Sequence, residues 1–286
     1  MATWSREFTD VGVVVAAFRA NGLITLTTDF GLREPFVGIM KGVMLAHSAQ
    51  LRFVDMAHDV SAFQPVEAGF WLAGALRYFP AGTLHMAVVD PGVGTQRALL
   101  VAFANEQALL VPDNGLLSPL AARGKIDRMI RIDNTRLVQF GVSDVSATFH
   151  GRDVFAPLAA AIASGRCNPR DLGDEVDTFD DSGWPRTMER ADGGVSGVIV
   201  AVDRFGNLIS NIDRSSFEPA SADGVEVRVG GQSIARIVST YAAAAPGDLC
   251  ALFGSTDHLE IAVNGGSAAA RLGLQRGAPV HVVRPA

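Results

Sequence analysis

Residues 23–55 read LITLTTDFGLREPFVGIMKGVMLAHSAQLRFVD, and this stretch decides the fold. A short run of apolar and β-branched residues comes first, a longer run with helical spacing follows, and a second strand-like run ends the stretch. The alternation continues beyond it, in the order Leu23–Thr28, Pro35–Ala46, Leu51–Asp55, Pro65–Tyr78 and Leu84–Val89. Strands that alternate with helices are typical of βαβ units, which build a parallel sheet with helices on both faces.

The length of 286 residues favours two domains, because single domains usually hold about 100–200 residues. We predict an N-terminal α/β domain at residues 23–170, with a mostly parallel sheet. Residues 171–194 are rich in Asp, Gly and Pro and are predicted to be a linker. Residues 195–286 contain short strand-like runs without long helical stretches, which predicts a smaller all-β, barrel-like C-terminal domain.

Composition excludes several classes of protein. Acidic residues outnumber basic ones by 30 to 24 and no basic run occurs, so we expect no nucleic-acid partner. Cys167 and Cys250 are far apart, which disfavours a disulfide framework. The apolar stretch Val11–Phe18 follows Glu7 and Asp10 where a signal peptide carries basic residues, and no run approaches the ~20 apolar residues of a membrane span. We therefore expect a cytoplasmic protein without a membrane partner.

The stretch VDPGVGTQR at residues 89–97 is the first candidate for chemistry. Asp90 comes at the end of a predicted strand, and Asp29 occupies the same position after the first strand; ligands of open α/β sheets bind at these ends. The glycine-rich turn lets backbone N–H groups approach a ligand closely. Taken by itself, however, the stretch is better explained as a tight turn closed by a structural pair between Asp90 and Arg97, because a lone PGxG is common.

Two further clusters leave alternatives open. His150 lies just before a predicted helix, where it serves either as a base or as a hydrogen-bonding residue with no chemistry. Asp203, Phe205 and Asn207 suit an amino-acid or nucleobase site, and suit equally an Asx-type turn with a buried Phe. The other histidines show no metal-binding spacing, and the sequence has neither a GxGxxG nor a P-loop motif, so no metal and no nucleotide cofactor is predicted.

In combination, seven short motifs identify a family. They are, in order, LTTDFG at 26–31, DMAH at 55–58, VVDPGVG at 88–94, PDNG at 112–115, FHGRD at 149–153, DRFGN at 203–207 and GSAA at 266–269. Together they resemble the SAM hydroxide adenosyltransferase family, whose relatives include the fluorinase and the chlorinase. The resemblance extends from Leu23 to the C-terminus.

The resemblance implies hydrolysis of S-adenosyl-L-methionine (SAM) to adenosine and L-methionine by in-line attack of activated water or hydroxide at C5′. SAM is then the substrate and no cofactor takes part. Asp90, Arg97 and His150 match the family residues that position the attacking water, and the sequence leaves their individual roles open. The resemblance further implies a homotrimer in which each site lies between two subunits.

The family's substrate contacts also have counterparts here. The matching residues are Asp29 for the ribose hydroxyls, Asp203 and Asn207 for the methionine amine and its neighbourhood, Phe205 for the nucleoside, Ser255 for the methionine carboxylate, and Asn264 and Ala268 for the adenine. The halogenases carry an arginine where Thr256 stands in this sequence. Three alternatives remain: a halogenase-like 5′-displacement, a SAM sensor without turnover, and a metal-dependent hydrolase using Asp29, Asp90 and His150.

Overall fold

The computed structural model describes residues 18–216 and 224–284. The chain divides into two compact units, Met1–Ser182 and Gly183–Ala286, and this division lies inside the predicted linker. Residues 11–17 of the apolar N-terminal stretch lie outside the described residues. Across residues 18–216 and 224–284, none of the helices has the length and apolar character required to cross a membrane.

Within residues 18–182, unit 1 contains seven strands and four α-helices. They are β1 (Leu23–Thr28), α1 (Phe36–His47), β2 (Arg52–Ala57), α2 (Pro65–Ala75), β3 (Leu84–Val88), β4 (Leu99–Ala104), β5 (Gln107–Pro112), α3 (Ser118–Ala122), β6 (Arg128–Ile132), α4 (Ala156–Ala163) and β7 (Gly173–Glu175). Shorter helices are the 3₁₀ turns Leu76–Tyr78, Asn134–Phe140 and Pro169–Leu172 and the π-helical turn Gly151–Phe155. The strands form one sheet in the order β2-β1-β3-β5-β4-β6-β7.

Five of the seven strands run in the same direction, which confirms the mostly parallel sheet. β1 pairs in parallel with β2 and β3, and β3 with β5, whereas β4 is antiparallel to β5 and β6. The β4–β5 connection is a tight hairpin at Asn105 and Glu106, whose φ angles of 51° and 60° are those of the turns that match strand twist. This hairpin reverses the chain where a βαβ pattern would have continued in parallel.

Helices cover both faces of the sheet, as the alternation predicts. Side chains of α1 and α4 pack with one set of strand residues, including Leu110, and α2 and α3 pack with the alternate set, including Leu109 and Val111. Gly69 lets α2 pack closely against the segment that precedes α3, because a Cβ there would lie 1.9 Å from the Leu116 carbonyl oxygen. The strands are therefore buried on both sides.

A row of polar side chains crosses this core on β1, β3 and β5. The Gln107 amide nitrogen donates to the carbonyls of Leu76 (3.1 Å) and Phe79 (2.6 Å), so its Oε1 accepts, and Nε2 of His85 donates to it at 3.0 Å. The Nδ1 of His85 then accepts from the Thr25 hydroxyl at 2.7 Å. His85 is completely buried, and burial lowers its pKa to about 4.

Unit 2 is built mostly of strands. They are β8 (Met188–Glu189), β9 (Val195–Val202), β10 (Leu208–Asp213), β11 (Glu226–Val229), β12 (Gln232–Ile234), β13 (Ile237–Val238), β14 (Leu249–Phe253), β15 (His258–Val263) and β16 (Pro279–Val283), with helix α5 (Ala268–Leu272) and the 3₁₀ turns Arg214–Ser216 and Tyr241–Ala243. The main path runs β12-β11-β16-β9-β10-β15-β14-β13, and β8 adds to β9. Contacts between β12 and β14 bring the ends of this path together, which gives the predicted barrel-like form.

Two details of unit 2 differ from the sequence pattern. The run Ser233–Val238 suggests one strand, but it divides into β12 and β13, which pair with different neighbours. β10 gives no alternating signal, because Ser210 and Asn211 are buried within it alongside apolar residues. The Ser210 hydroxyl donates to the Leu259 carbonyl at 2.9 Å and the Asn211 amide to the Pro185 carbonyl at 2.7 Å, so these polar side chains are satisfied inside the unit.

Candidate functional site

Asp90 and Arg97 form a buried ion pair at the carboxyl end of β3. β3 ends at Val88, and Asp90 comes two residues later. The turn at residues 91–96 then brings the chain back to Arg97, which lies just before β4. The Arg97 Nε lies 2.7 Å from each carboxylate oxygen, and Nη2 also contacts Oδ2. The two side chains are only 4% and 9% exposed, so the pair is held away from bulk water.

Gly94 brings this turn against the segment that carries His150. Its φ is +78°, a conformation that favours glycine, and a Cβ at this position would lie 2.3 Å from the Ala147 carbonyl oxygen. His150 comes three residues later, immediately before the π-helical turn Gly151–Phe155 that leads into α4. Such turns are frequent at functional sites because they redirect side chains within a helix.

His150 contacts Arg97 through one ring nitrogen. Nη2 of Arg97 lies 3.0 Å from Nδ1 of His150, and a guanidinium can only donate, so Nδ1 accepts and the proton of the neutral ring is on Nε2. The pKa of His150 is lowered first by burial and then by the charge of Arg97. The imidazole is therefore neutral near pH 7 and presents an N–H group on its free side.

Two donors of this cluster remain available to a ligand. Within residues 18–216 and 224–284, neither Nη1 of Arg97 nor Nε2 of His150 has a hydrogen-bond partner. Both oxygens of Asp90 are occupied by the guanidinium. The cluster thus offers hydrogen-bond donors, and a small ligand with oxygen lone pairs is the kind that it suits.

Asp29 lies at the end of β1 and holds a neighbouring loop. Its Oδ2 accepts from the backbone N–H of Phe63 at 3.0 Å, and Phe63 has a φ of 62° and a side chain that is 70% exposed. The backbone just after Asp29 is tied to the loop after β2, because Gly31 donates to the His58 carbonyl at 2.7 Å. One oxygen of Asp29 is thereby fixed from the protein side.

A relay of side chains beneath Asp29 connects β1, β2 and α1. The His58 Nδ1 lies 2.8 Å from the Thr28 hydroxyl, its Nε2 lies 3.0 Å from Asp55, and Asp55 accepts from Lys41 at 2.6 Å. The hydrogen bonds to His58 and Lys41 lower the pKa of Asp55 against the opposing effect of burial, which is the largest single influence on it. His58, which belongs to the DMAH motif, is buried, so the sequence motif acts here as a brace for the Asp29 segment.

An aromatic cluster connects Asp29 with His150. The ring of Phe30 packs edge-on against that of Phe149 with centroids 6.0 Å apart, and Phe36 contacts both. Because Phe30 follows Asp29 and Phe149 precedes His150, these rings hold the two chain segments side by side. Unit 1 therefore joins Asp90, Arg97 and His150 in one hydrogen-bonded cluster and places the segment of Asp29 beside the segment of His150.

In unit 2, Asp203 organises the turn between β9 and β10. Its Oδ1 accepts from the backbone N–H groups of Phe205 (2.9 Å) and Asn207 (2.8 Å), and its Oδ2 accepts from the Asn207 side chain at 2.9 Å. This is the Asx-type geometry that the sequence allowed. However, Phe205 is 75% exposed, so the aromatic ring is not the buried anchor expected of a purely structural turn.

The other predicted residues of unit 2 fall in three places. Ala268 is close to the Asp203 turn, since Ala269 donates to the Gly206 carbonyl at 2.9 Å, but its side chain is completely buried. Asn264 donates to the Ala244 carbonyl at 2.8 Å and so braces another loop. Ser255 is exposed in the turn between β14 and β15.

Sequence analysis missed Glu260, a buried acid near the Asp203 turn. Burial raises the pKa of Glu260 and the charge of Asp203 raises it further, while the Tyr241 hydroxyl donates to its Oε2 at 2.8 Å. A Cβ on Gly254 would collide with this carboxyl group, which explains the glycine there. The only sign in the sequence is an acid at position 260 within the alternating run His258–Val263. Assigning a strand to that run does not show that the acid is buried.

The side chains that a metal-dependent hydrolase would use as ligands are not arranged around a common cation. Asp90 and Nδ1 of His150 are both engaged with Arg97, so they do not face a shared cation. In the part of the chain that the structure describes, no group of three or more His, Cys, Asp and Glu side chains is arranged to hold a metal ion.

Comparison with known proteins places this chain in a family. Residues 24–173 match the model of the SAM hydroxide adenosyltransferase N-terminal domain and residues 197–281 that of the C-terminal domain. The chain is 37% identical to an (R)-S-adenosyl-L-methionine hydrolase of Salinispora tropica, over 91% of this chain and 97% of the relative. It is 35% identical to the protein of the same name from Thermus thermophilus, over 90% and 97% of the two chains.

A solved structure and a more distant relative complete the comparison. The crystal structure of an uncharacterized conserved protein from Thermotoga maritima superposes with a TM-score of 0.82 at 32% identity and covers 91% of this chain and 100% of the other. A fluorinase from an Actinoplanes species is 26% identical over 70% of this chain and 74% of its own length. With both domain models matched in order, the chain belongs to the SAM hydroxide adenosyltransferase family.

Proposed function

We propose that this protein hydrolyses SAM to adenosine and L-methionine, with an oxygen nucleophile held by Arg97 and His150. Family membership and the names of the relatives at 35–37% identity support the substrate and the reaction. The observation that carries the mechanism is the pair of unpaired donors, Nη1 of Arg97 and Nε2 of His150, beside a carboxylate that is already satisfied.

The reaction mainly requires that the oxygen nucleophile be positioned correctly. SAM is a sulfonium cation, and its C5′–S bond breaks to give the neutral thioether of methionine, so the leaving group needs neither a proton nor a cofactor. The balanced reaction converts SAM⁺ and water into adenosine, methionine and one proton. Holding the oxygen in line with the C5′–S bond supplies the entropic part of the rate enhancement. Donors that face the oxygen favour its hydroxide form.

The roles within the cluster follow from the hydrogen-bond directions. Asp90 holds Arg97 in place and balances its charge, since all of its short contacts go to that guanidinium. Arg97 donates to the oxygen and fixes the ring of His150 by donating to Nδ1. His150 then donates through Nε2 instead of serving as a base at that nitrogen. Asp90 is thus a positioning residue, whereas Arg97 and His150 both contact the proposed nucleophile.

The substrate contacts proposed from the family resemblance remain consistent with exposure and charge. Asp29 binds the ribose hydroxyls through the oxygen left free by Phe63. In unit 2, Phe205 is exposed enough to stack on the nucleoside, and the acid Asp203 suits the methionine amine. Asn207, Ser255, Asn264 and Ala268 complete the set, and the buried Ala268 would contribute its backbone.

We further propose a cytoplasmic homotrimer in which a second subunit completes each site. The proposed substrate contacts are divided between the two units of the chain. In unit 1, exposed apolar side chains surround the Asp29 segment: Leu32 is 69% exposed, Phe36 41% and Phe63 70%. Apolar patches of this kind mark interaction surfaces. Full specific activity in a demonstrated monomer would contradict this arrangement.

The decisive experiment identifies the nucleoside that the purified protein releases from SAM in ¹⁸O-labelled water. We expect adenosine with the label on its 5′ oxygen, because the attack occurs at carbon. Release of 5′-chloroadenosine in chloride buffer would instead support halogenase-like displacement, and unchanged SAM would support a sensor.

Variants of His150 separate the donor role from a base role. His150→Ala removes one donor and is expected to lower kcat by about 10²–10³-fold. His150→Gln restores an N–H donor but cannot accept a proton, so it should recover part of that loss. Equal activity of the two variants would contradict the donor role. His281→Ala, a half-buried histidine of β16 in unit 2, is the matched control and should leave kcat unchanged.

A further inference from the structure

A cavity of about 360 Å³ in unit 1 is lined in part by Arg97 and His150. Its lining also includes apolar side chains that are almost completely buried: Leu137 is 6% exposed, and Val142 and Val154 are each 3% exposed. One water molecule needs only about 10–15 Å³ of cavity volume, so this cavity has room for a chain of waters.

The rim of the same cavity reaches the protein surface. Val138 is 74% exposed and Val145 is 47% exposed, and Ser143 and Asp144 beside them are also exposed. The lining therefore combines exposed residues with buried ones and includes the two residues that carry the donors.

The proposed reaction makes such a passage useful. In-line displacement requires the oxygen to approach C5′ from the side opposite the sulfur. When SAM occupies the site, its own bulk blocks the approach of water from the methionine side. Nη1 of Arg97 and Nε2 of His150 belong to residues that line the cavity, so water in the cavity is next to the two residues that carry the donors.

We propose that this cavity is the passage by which water reaches Arg97 and His150 while SAM is bound, and by which the released proton leaves. This inference rests on the proposed hydrolysis. In each turnover one water enters, its oxygen forms the new bond to C5′, the C5′–S bond breaks with its electron pair retained by sulfur, and one proton passes to the cavity waters. Neither Asp90 nor His150 has to hold that proton after the reaction.

The test introduces a cysteine at the rim and blocks the passage reversibly. Ser143→Cys and Val138→Cys each provide a thiol at the mouth, whereas the native Cys167 and Cys250 are buried. Methyl methanethiosulfonate adds a small group as a mixed disulfide, benzyl methanethiosulfonate adds a bulky one, and dithiothreitol removes either. Ala122→Cys, on the exposed end of α3, is the matched control.

We expect the benzyl adduct at residue 143 or 138 to lower kcat at least about tenfold, to leave the Kd for SAM unchanged, and to be reversed by dithiothreitol. The methyl adduct and the modified Ala122→Cys control should retain activity. Labelling should proceed equally fast with SAM bound, because the passage stays open.

Two results would overturn the inference. If benzyl adducts at both positions leave kcat unchanged, water arrives by another route. If SAM protects these thiols from labelling, the cavity belongs to the substrate site. Failure of the hydrolysis itself is distinguishable, since the unmodified variants and the wild type would then release no adenosine at all.

Discussion

Replacing His85 by glutamine is expected to make the stability of unit 1 markedly less sensitive to acid. His85 is completely buried between Thr25 and Gln107, and burial lowers its pKa from 6.5 to about 4. The folded protein therefore holds this ring neutral, while the unfolded chain binds a proton near pH 6.5. The resulting stability is fully present above pH 6.5 and is lost as the pH falls toward 4.

The magnitude follows from the shift. A difference of about 2.5 units at about 1.36 kcal/mol per unit gives about 3 kcal/mol lost between pH 6.5 and 4. Glutamine places an amide nitrogen near the position of Nε2, so donation to Gln107 is kept, but the Thr25 hydroxyl loses its acceptor. The variant should be about 1–3 kcal/mol less stable at pH 7 and should lose about 3 kcal/mol less than wild type on acidification.

The assay must report on unit 1 alone. Native-state hydrogen exchange of the peptide that spans β3 gives the free energy of opening of that strand, independently of unit 2. Measurements at pH 7, 5.5 and 4 for wild type and His85→Gln give two curves of opening free energy against pH. The contributions of carboxylates that both proteins share cancel when one curve is subtracted from the other. Parallel curves would refute the conclusion that a neutral buried His85 controls the acid sensitivity.

The remaining predictions concern the site. The acid limb of the kcat profile should lie below pH 6.5, because the pKa of His150 is lowered and protonation of its Nδ1 would oppose the Arg97 donor; a limb above 6.5 would contradict the assigned ring state. Gly94→Ala should lower both Tm and kcat, since its Cβ would meet a carbonyl oxygen, whereas Gly124→Ala, at a similar φ of +61° but with open space around it, should affect kcat little. Asp29→Ala should raise KM with little change in kcat. His58→Ala should also raise KM, because it releases the segment that carries Asp29. Additive effects on KM in the double variant would contradict the conclusion that His58 acts through Asp29.

Local patterns predicted much of unit 1. Its early strands and helices, both covered faces of the sheet, and the strand-end positions of Asp29 and Asp90 all follow from periodicity. The direction of β4 did not follow, because it depends on a two-residue hairpin at Asn105 and Glu106 that lacks the usual glycine. Likewise β10 was hidden, because its buried Ser and Asn side chains are satisfied by contacts distant in sequence.

The site itself shows the limit of local reasoning. Fifty-three residues separate Arg97 from His150, and their contact depends on Gly94 packing against Ala147, which no spacing rule contains. Only the ordered set of seven motifs led to that group of residues. The relay through His58 and the acid Glu260 stayed invisible for the same reason, since each acts through partners on other elements.

Hydrogen-bond direction gives the site a chemical preference that residue types alone do not. A histidine next to an aspartate is usually interpreted as a base oriented by an acid, as in hydrolases that activate a hydroxyl group. Here Arg97 stands between them: it satisfies Asp90, donates to Nδ1 of His150 and leaves the imidazole proton on the outer nitrogen. Because the free face of the cluster only donates, we propose that it favours hydroxide over water. In the proposed reaction the proton is lost to solvent before or during attack, and the departing neutral thioether does not require it.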